Sequence, residues 1–172
     1  MIRVTVADIV QQEKYYAIVL LDEAGRRILP IWVGEPEARA IAACYLERPV
    51  PRPWTHDLMA NLLEAAGTAL EEVRVETLKE ITFYAVVKLR SGDTTREVDA
   101  RPSDAIALAL RMNSPIYVAE EVLKEEGLDI PEELGPTPQG RGLEKIRDKI
   151  EKETRTPQQK LLDIVFGKET ET

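Results

Sequence analysis

The chain of 172 residues reads as an α+β fold, a mixed or antiparallel sheet with helices packed on it and a helical C-terminal tail. Three observations predict this. Strand-like segments recur in two sets, beginning with an amino terminus in which apolar and polar residues alternate. Each set is followed by a helix-forming stretch with a proline in its first turn, where the missing N–H costs nothing. The order hairpin, strand, helix then occurs twice, with Ala40-Ile41-Ala42 and Ala105-Ile106-Ala107 at comparable places, which suggests an internal duplication of a strand-hairpin-helix unit.

Residues 2–10 and 15–21 are expected to be strands, and Asp22-Glu23-Ala24-Gly25 turns into a third strand at about 26–33. The alanine-rich run 35–46, with Pro36 near its start, predicts a helix. Pro49, Pro51 and Pro53 impose an extended linker. Thr55 then serves as a plausible N-cap for a helix to Ala66, stopped by Gly67. Strands follow at 70–78 and 81–89, a turn at Ser91-Gly92-Asp93, a strand at 95–100 and a helix at 102–112. Asn113 and Pro115 end that helix, 116–119 reads as a short strand, and 120–126 as a helical turn or two closed by Gly127. These elements delimit a domain at 1–130. Prolines and glycines crowd 131–142, a linker, and 143–172 forms a charged helical tail. Within the tail, Leu143, Ile146 and Ile150 share one stripe and 161–166 is a second apolar patch, so the tail needs its own domain or a partner subunit to pack against.

The composition, 44% hydrophobic with 31% charged residues, excludes a membrane protein, a collagen-like fibre and a wholly disordered chain. Cys44 is the single cysteine and is expected to be a small buried hydrophobe. With no intramolecular disulfide available and no secretory pattern at the amino terminus, a cytoplasmic location is the simplest reading. Net charge is −8, but residues 120–133 hold seven acidic residues and one basic, leaving −2 for the remainder. Acidity is thus local, which weakens a nucleic-acid partner without excluding one.

Two stretches concentrate chemistry at helix mouths: Arg52-Pro53-Trp54-Thr55-His56-Asp57-Leu58 and Asp99-Ala100-Arg101-Pro102-Ser103-Asp104-Ala105. In each, an arginine precedes the helix and a carboxylate sits in its first turn, where exposed N–H groups attract anions. Taken singly, Thr55 and Ser103 are ordinary caps, Asp57 and Asp104 are ordinary first-turn acids, and the arginines are ordinary partners for carboxylates. His56 is the only histidine, so it cannot supply both acid and base of a two-histidine ribonuclease. If Asp57, Asp99 and Asp104 converge, they form a hard-oxygen set for Mg2+ or Mn2+, with His56 as a nitrogen ligand or general base. Trp32 and Trp54 are better read as packing residues than as base-stacking platforms. A phosphate-cradling glycine loop, paired zinc cysteines, a nucleophile elbow and a dinucleotide fingerprint are all missing from the sequence.

At these residues the sequence resembles the bifunctional nuclease (BFN) domain family. The resemblance rests on Leu29-Pro30-Ile31-Trp32-Val33-Gly34 with Glu37-Ala38, on the two helix-mouth motifs, on Phe83-Tyr84-Ala85, and on Pro115-Ile116-Tyr117-Val118. It spans about the first 130 residues. It implies an α+β fold, a tendency to dimerise and nuclease activity on DNA and RNA, with Arg52, Thr55, His56, Asp57, Asp99, Arg101, Ser103 and Asp104 as the matching motif positions. Some relatives continue into a helical hairpin of the nucleotide-excision repair kind, which 143–154 is too short to form.

The function expected from these readings is phosphodiester hydrolysis of DNA, RNA or both. Asp57, Asp99 and Asp104 would hold one or two divalent cations, His56 would orient or deprotonate water, and Arg52, Arg101, Thr55 and Ser103 would contact substrate. The competing expectation is a non-catalytic homodimeric binding or regulatory module in which the same polar residues tie helices to strands. A small anionic ligand at one helix mouth is the third. A solvent-open cleft favours the enzyme, and full burial with every polar atom paired favours the structural role.

Overall fold

The computed structural model describes residues 1–130, 143–154 and 156. Three strands open it, β1 (Ile2–Gln12), β2 (Tyr15–Asp22) and β3 (Arg27–Val33), followed by α1 (Glu35–Tyr45) and α2 (Thr55–Ala65). The order then repeats as β4 (Ala69–Lys79), β5 (Thr82–Ser91), β6 (Thr94–Ala100) and α3 (Pro102–Met112). Shorter elements follow: β7 (Ile116–Val118), α4 (Glu120–Glu126), β8 (Leu128–Asp129) and α5 (Leu143–Glu153).

All eight strands form one sheet in the order β6-β5-β4-β7-β1-β2-β3-β8. Neighbours are antiparallel except β4 and β7, which run parallel. The two meanders therefore extend outward from β7, each in chain order. Each half runs hairpin, third strand, helix, and the first half carries the additional helix α2.

The central helix explains much of the packing. Ala105, Ile106, Ala107, Leu108 and Ala109 of α3 are all buried, and a helix apolar on every side belongs in an interior. Its alanines let α1 and α2 approach it closely while it lies over β4 and β5, so all three helices share one sheet face. On the opposite face, Ile146 and Ile150 of α5 cover Ala7, Val10, Val19, Leu21 and Ile28 of the first meander. The tail helix thus packs on its own chain. The linker 131–142 and the patch 161–166 lie outside the described residues.

Four local expectations change. Thr55 is not the N-cap of α2 but its first residue; Trp54 occupies the cap position, and its backbone N–H donates to Oδ2 of Asp57 at 2.7 Å. This is the backbone half of a capping box, supplied by an aspartate at the third helical position. Ser103 likewise lies inside α3 and is buried, with Arg101 at the cap position. Trp54 is 42% exposed, so it is not core, whereas Trp32 does pack against the second core. Cys44 is only partly buried. Gly67, with φ +63°, ends α2 as expected, in a conformation a Cβ would oppose. Among the described residues no helix is long and apolar enough to cross a membrane.

Candidate functional site

The first turns of α2 and α3 meet above the edge of the second meander. His56, only 8% exposed, places Nε2 2.9 Å from Oδ1 of Asp104. The other oxygen of Asp104 accepts from Nε of Arg101 at 2.7 Å. Arg101 then donates through Nη1 to Oε1 of Glu37 on α1 at 3.0 Å. One polar chain, His56–Asp104–Arg101–Glu37, therefore links all three helices. Arg101 remains 65% exposed at its side chain despite both partners.

Electrostatics follow from this geometry. Burial pushes the Asp104 carboxyl up, but hydrogen bonds and charge from Arg101 and His56 outweigh it and hold it below the ordinary carboxylate value. Asp104 mainly, and Glu37 after it, raise the already high Arg101 guanidinium. Ionised acid and cation are both fixed at neutral pH.

Asp57 is turned elsewhere. Its Oδ1 accepts from Nε of Arg111 in the last turn of α3, and Arg111 also donates to the carbonyl of Ala107. The Arg111 side chain is 7% exposed, so this pair is an interior tie. Partial burial raises the Asp57 carboxyl, yet the Trp54 N–H and Arg111 together hold it below its usual value.

Asp99 is separated by register. It pairs with Val86 on β5, while its neighbours Val98 and Ala100 pair with Val87 and Ala85. Strand alternation sends Ala85 and Val87 to the helix side and Asp99 with Val86 to the other. Among the described residues no three His, Cys, Asp or Glu side chains form a group that could hold a metal ion. As placed, Asp57, Asp99 and Asp104 do not fit a shared divalent cation.

A cavity of about 850 Å³ opens beside this chain, bordered by Thr55, His56, Asp99, Arg101 and Asp104 and by apolar residues of α2, β5 and β6, so Asp99 reaches its rim from the edge strand without joining the polar chain. Arg52 is exposed ahead of α2 and makes no ion pair among the described residues. Ser103 faces the interior, so it does not contact the cavity. Two participants, Glu37 and Arg111, are additional to the residues singled out from the sequence. Glu37 stands in a motif that carries the family resemblance, so its signal was present without a role; Arg111 reads as an ordinary cation in a last helical turn.

A family model described as "Bifunctional nuclease domain" matches residues 18–131. An uncharacterized protein of Mycobacterium tuberculosis (strain ATCC 25618 / H37Rv) is 49% identical over 125 residues, covering 72% of this chain and 74% of that protein. "Bifunctional nuclease 1" of Oryza sativa subsp. japonica is 29% identical over 128 residues, 72% of this chain and 38% of its own length. "Bifunctional nuclease 2" of Arabidopsis thaliana is 31% identical over 118 residues, 66% of this chain and 36% of its own length. The matched span contains both helix-mouth motifs, Glu37 and Arg111. With most of the sheet and all of the polar chain inside it, this chain belongs to the bifunctional nuclease domain family.

Proposed function

We propose that the chain hydrolyses phosphodiester bonds of nucleic acid, DNA, RNA or both. The observation that carries this reading is the His56–Asp104–Arg101 chain set against a solvent-open cavity, in a family whose plant members are named nucleases. Asp104, ionised and accepting at Nε2, selects the imidazole tautomer with its proton on that nitrogen. Nδ1 then carries a lone pair and acts as general base toward water. The water oxygen attacks phosphorus, its proton passes to Nδ1, and the leaving oxygen takes a proton from solvent. Asp104 stabilises the imidazolium that forms, and the exposed edge of Arg101 offsets charge on the non-bridging oxygens. Arg52 supplies a second cation to the substrate backbone, and the Thr55 hydroxyl borders the same space.

The Mg2+ or Mn2+ expected on Asp57, Asp99 and Asp104 enters no step, because Asp57 is engaged by Arg111 and Asp104 by His56 and Arg101. The competing reading, a non-catalytic homodimeric module, draws support from one observation: Arg111–Asp57 and Arg101–Glu37 tie helices together as structural pairs do.

Labelled single- and double-stranded DNA and RNA, each with Mg2+, Mn2+ or chelator, test both readings. His56→Gln and Arg101→Ala preparations, checked for folding by circular dichroism, should cleave at least about 100-fold more slowly than the parent. Equal cleavage by all three preparations, or by none, overturns the nuclease.

A further inference from the structure

The cavity beside His56 does not end at the catalytic chain. It adjoins a second space of about 330 Å³ that shares Leu63 and Leu89 with it and continues to Thr68, Thr94 and Arg96. Thr55, at the start of α2, faces the same space as Arg101 just past the end of β6, and Thr68, beyond α2, faces Thr94 at its start. The two elements therefore run antiparallel and enclose one trough, with Arg101 at one end and Arg96 at the other. Register places Arg96, Val98 and Ala100 on the same sheet face as Leu89, Val87 and Ala85. Arg96 and Ala100 are thus four strand residues apart, about 13 Å.

Between the arginines the trough is apolar and open. Met59, Leu62 and Val98 are 38%, 60% and 47% exposed. Thr55, Met59 and Leu62 recur at helical spacing, so one stripe of α2 faces the space. Arg96 is exposed and makes no ion pair among the described residues. Water alone gains nothing from three large apolar side chains, and a phosphate backbone alone gains nothing from them either. What matches the pattern is a chain with anionic links and flat apolar units between them.

We propose that the trough takes an unpaired stretch of nucleic acid, with backbone phosphates at Arg101 and Arg96 and a base laid against Met59, Leu62 and Val98. The proposal rests on the nuclease reading and adds that the strand is single at the site. In a duplex the bases are stacked inside and present only their edges to the grooves, so no base face can reach this floor. A single strand offers both faces and phosphates together.

The test uses the full-length His56→Gln protein in chelator, so that bound strand stays intact. Fluorescence anisotropy compares a labelled 12-nucleotide DNA strand with the same sequence closed into a hairpin duplex across a salt series. The expected result is at least 10-fold tighter binding of the single strand. Leu62→Ser should weaken it about 10-fold with the salt slope unchanged. Arg96→Ala should lower the slope of log K against log salt by about 1. Both residues are exposed, so folding is retained. Equal or tighter binding of the duplex overturns the proposal, as does indifference to both substitutions. A dimer that Leu62→Ser converts to a monomer, with no strand bound, also overturns it and gives the trough to a second copy. Strand-selective binding without cleavage by the parent protein would sink the catalytic reading and keep this one; equal cleavage of duplex and strand would do the reverse.

Discussion

His56 and Asp57 are adjacent in the chain, yet α3 holds their side chains two turns apart: His56 is bonded to Asp104 in its first turn and Asp57 to Arg111 in its last. Seven residues of helix separate those two anchors by about 10 Å along the axis. Two neighbouring acidic and basic groups are thereby given different work. His56 faces the cavity end of the polar chain, and Asp57 clamps α2 to α3.

Asp57→Asn therefore tests architecture. Arg111 is almost wholly buried, and removing its partner leaves an uncompensated interior charge, at a cost of about 2–4 kcal/mol at pH 7. The sign of the pH dependence is set by a carboxyl whose folded value lies below its unfolded one. Its stabilisation is fully present above the ordinary carboxylate range and is lost as pH falls through the folded value. Urea unfolding should show a large gap between parent and variant at pH 7 that narrows only as pH falls below the ordinary carboxylate range. Cleavage per folded molecule should stay within about twofold of the parent.

Asp104→Asn tests chemistry. The amide keeps the shape but can present its NH2 group to Nε2, which favours the wrong tautomer and removes the charge opposite an imidazolium. Cleavage should fall about 100-fold or more. Because Asp104 is held below its usual value, the parent protein should keep this carboxylate ionised at every pH above the ordinary carboxylate range. Any acid-side loss in that region of the pH–rate profile then belongs to another group, and retention of full activity by Asp104→Asn would end the proposed role.

Arg101→Lys tests the fork. One guanidinium reaches Asp104 through Nε and Glu37 through Nη1, an arrangement a single ammonium cannot copy. The side chain is exposed, so stability should change by less than about 1 kcal/mol. kcat/KM should fall by about 10-fold or more even though the charge is kept. An unchanged kcat/KM would reduce Arg101 to a diffuse surface cation.

Most of the fold was legible because its signals are local. Alternation in β1 and the continuous apolar run of β2 need only neighbouring residues, and Pro36 and Pro102 mark helix starts by their own geometry. The site was less legible because it depends on tertiary placement. Whether Asp99 joins Asp104 turns on a single residue of register, since a shift of one reverses the face. Thr55 has good capping chemistry, yet the Asp57 carboxylate accepts the Trp54 N–H and sets the helix start one residue earlier. Met59 and Leu62 have the spacing of a core-facing stripe. They remain exposed because α2 rests on α3 through His56, Ala60 and the Asp57–Arg111 pair, leaving that stripe over the trough.

The tail helix supplies the remaining test, since its packing was open between its own domain and a partner subunit. Ile146 and Ile150 are 2% and 0% exposed on the sheet face opposite α3, and Arg147 grips Asp8 of β1 with Nε at 2.8 Å and Nη2 at 3.1 Å. Ile150→Ala removes buried carbon from a site closed by Val10, Val19 and Ile28, where the sheet cannot collapse to fill the space. The expected cost is about 2–4 kcal/mol. Arg147→Ala acts on an exposed pair and should cost about 1 kcal/mol or less. Because these contacts lie within one chain, the urea midpoint of the parent and the loss in Ile150→Ala should both be independent of protein concentration over a 100-fold range. A midpoint that rises with concentration, and an Ile150→Ala loss that shrinks with dilution, would place this helix across a subunit interface instead.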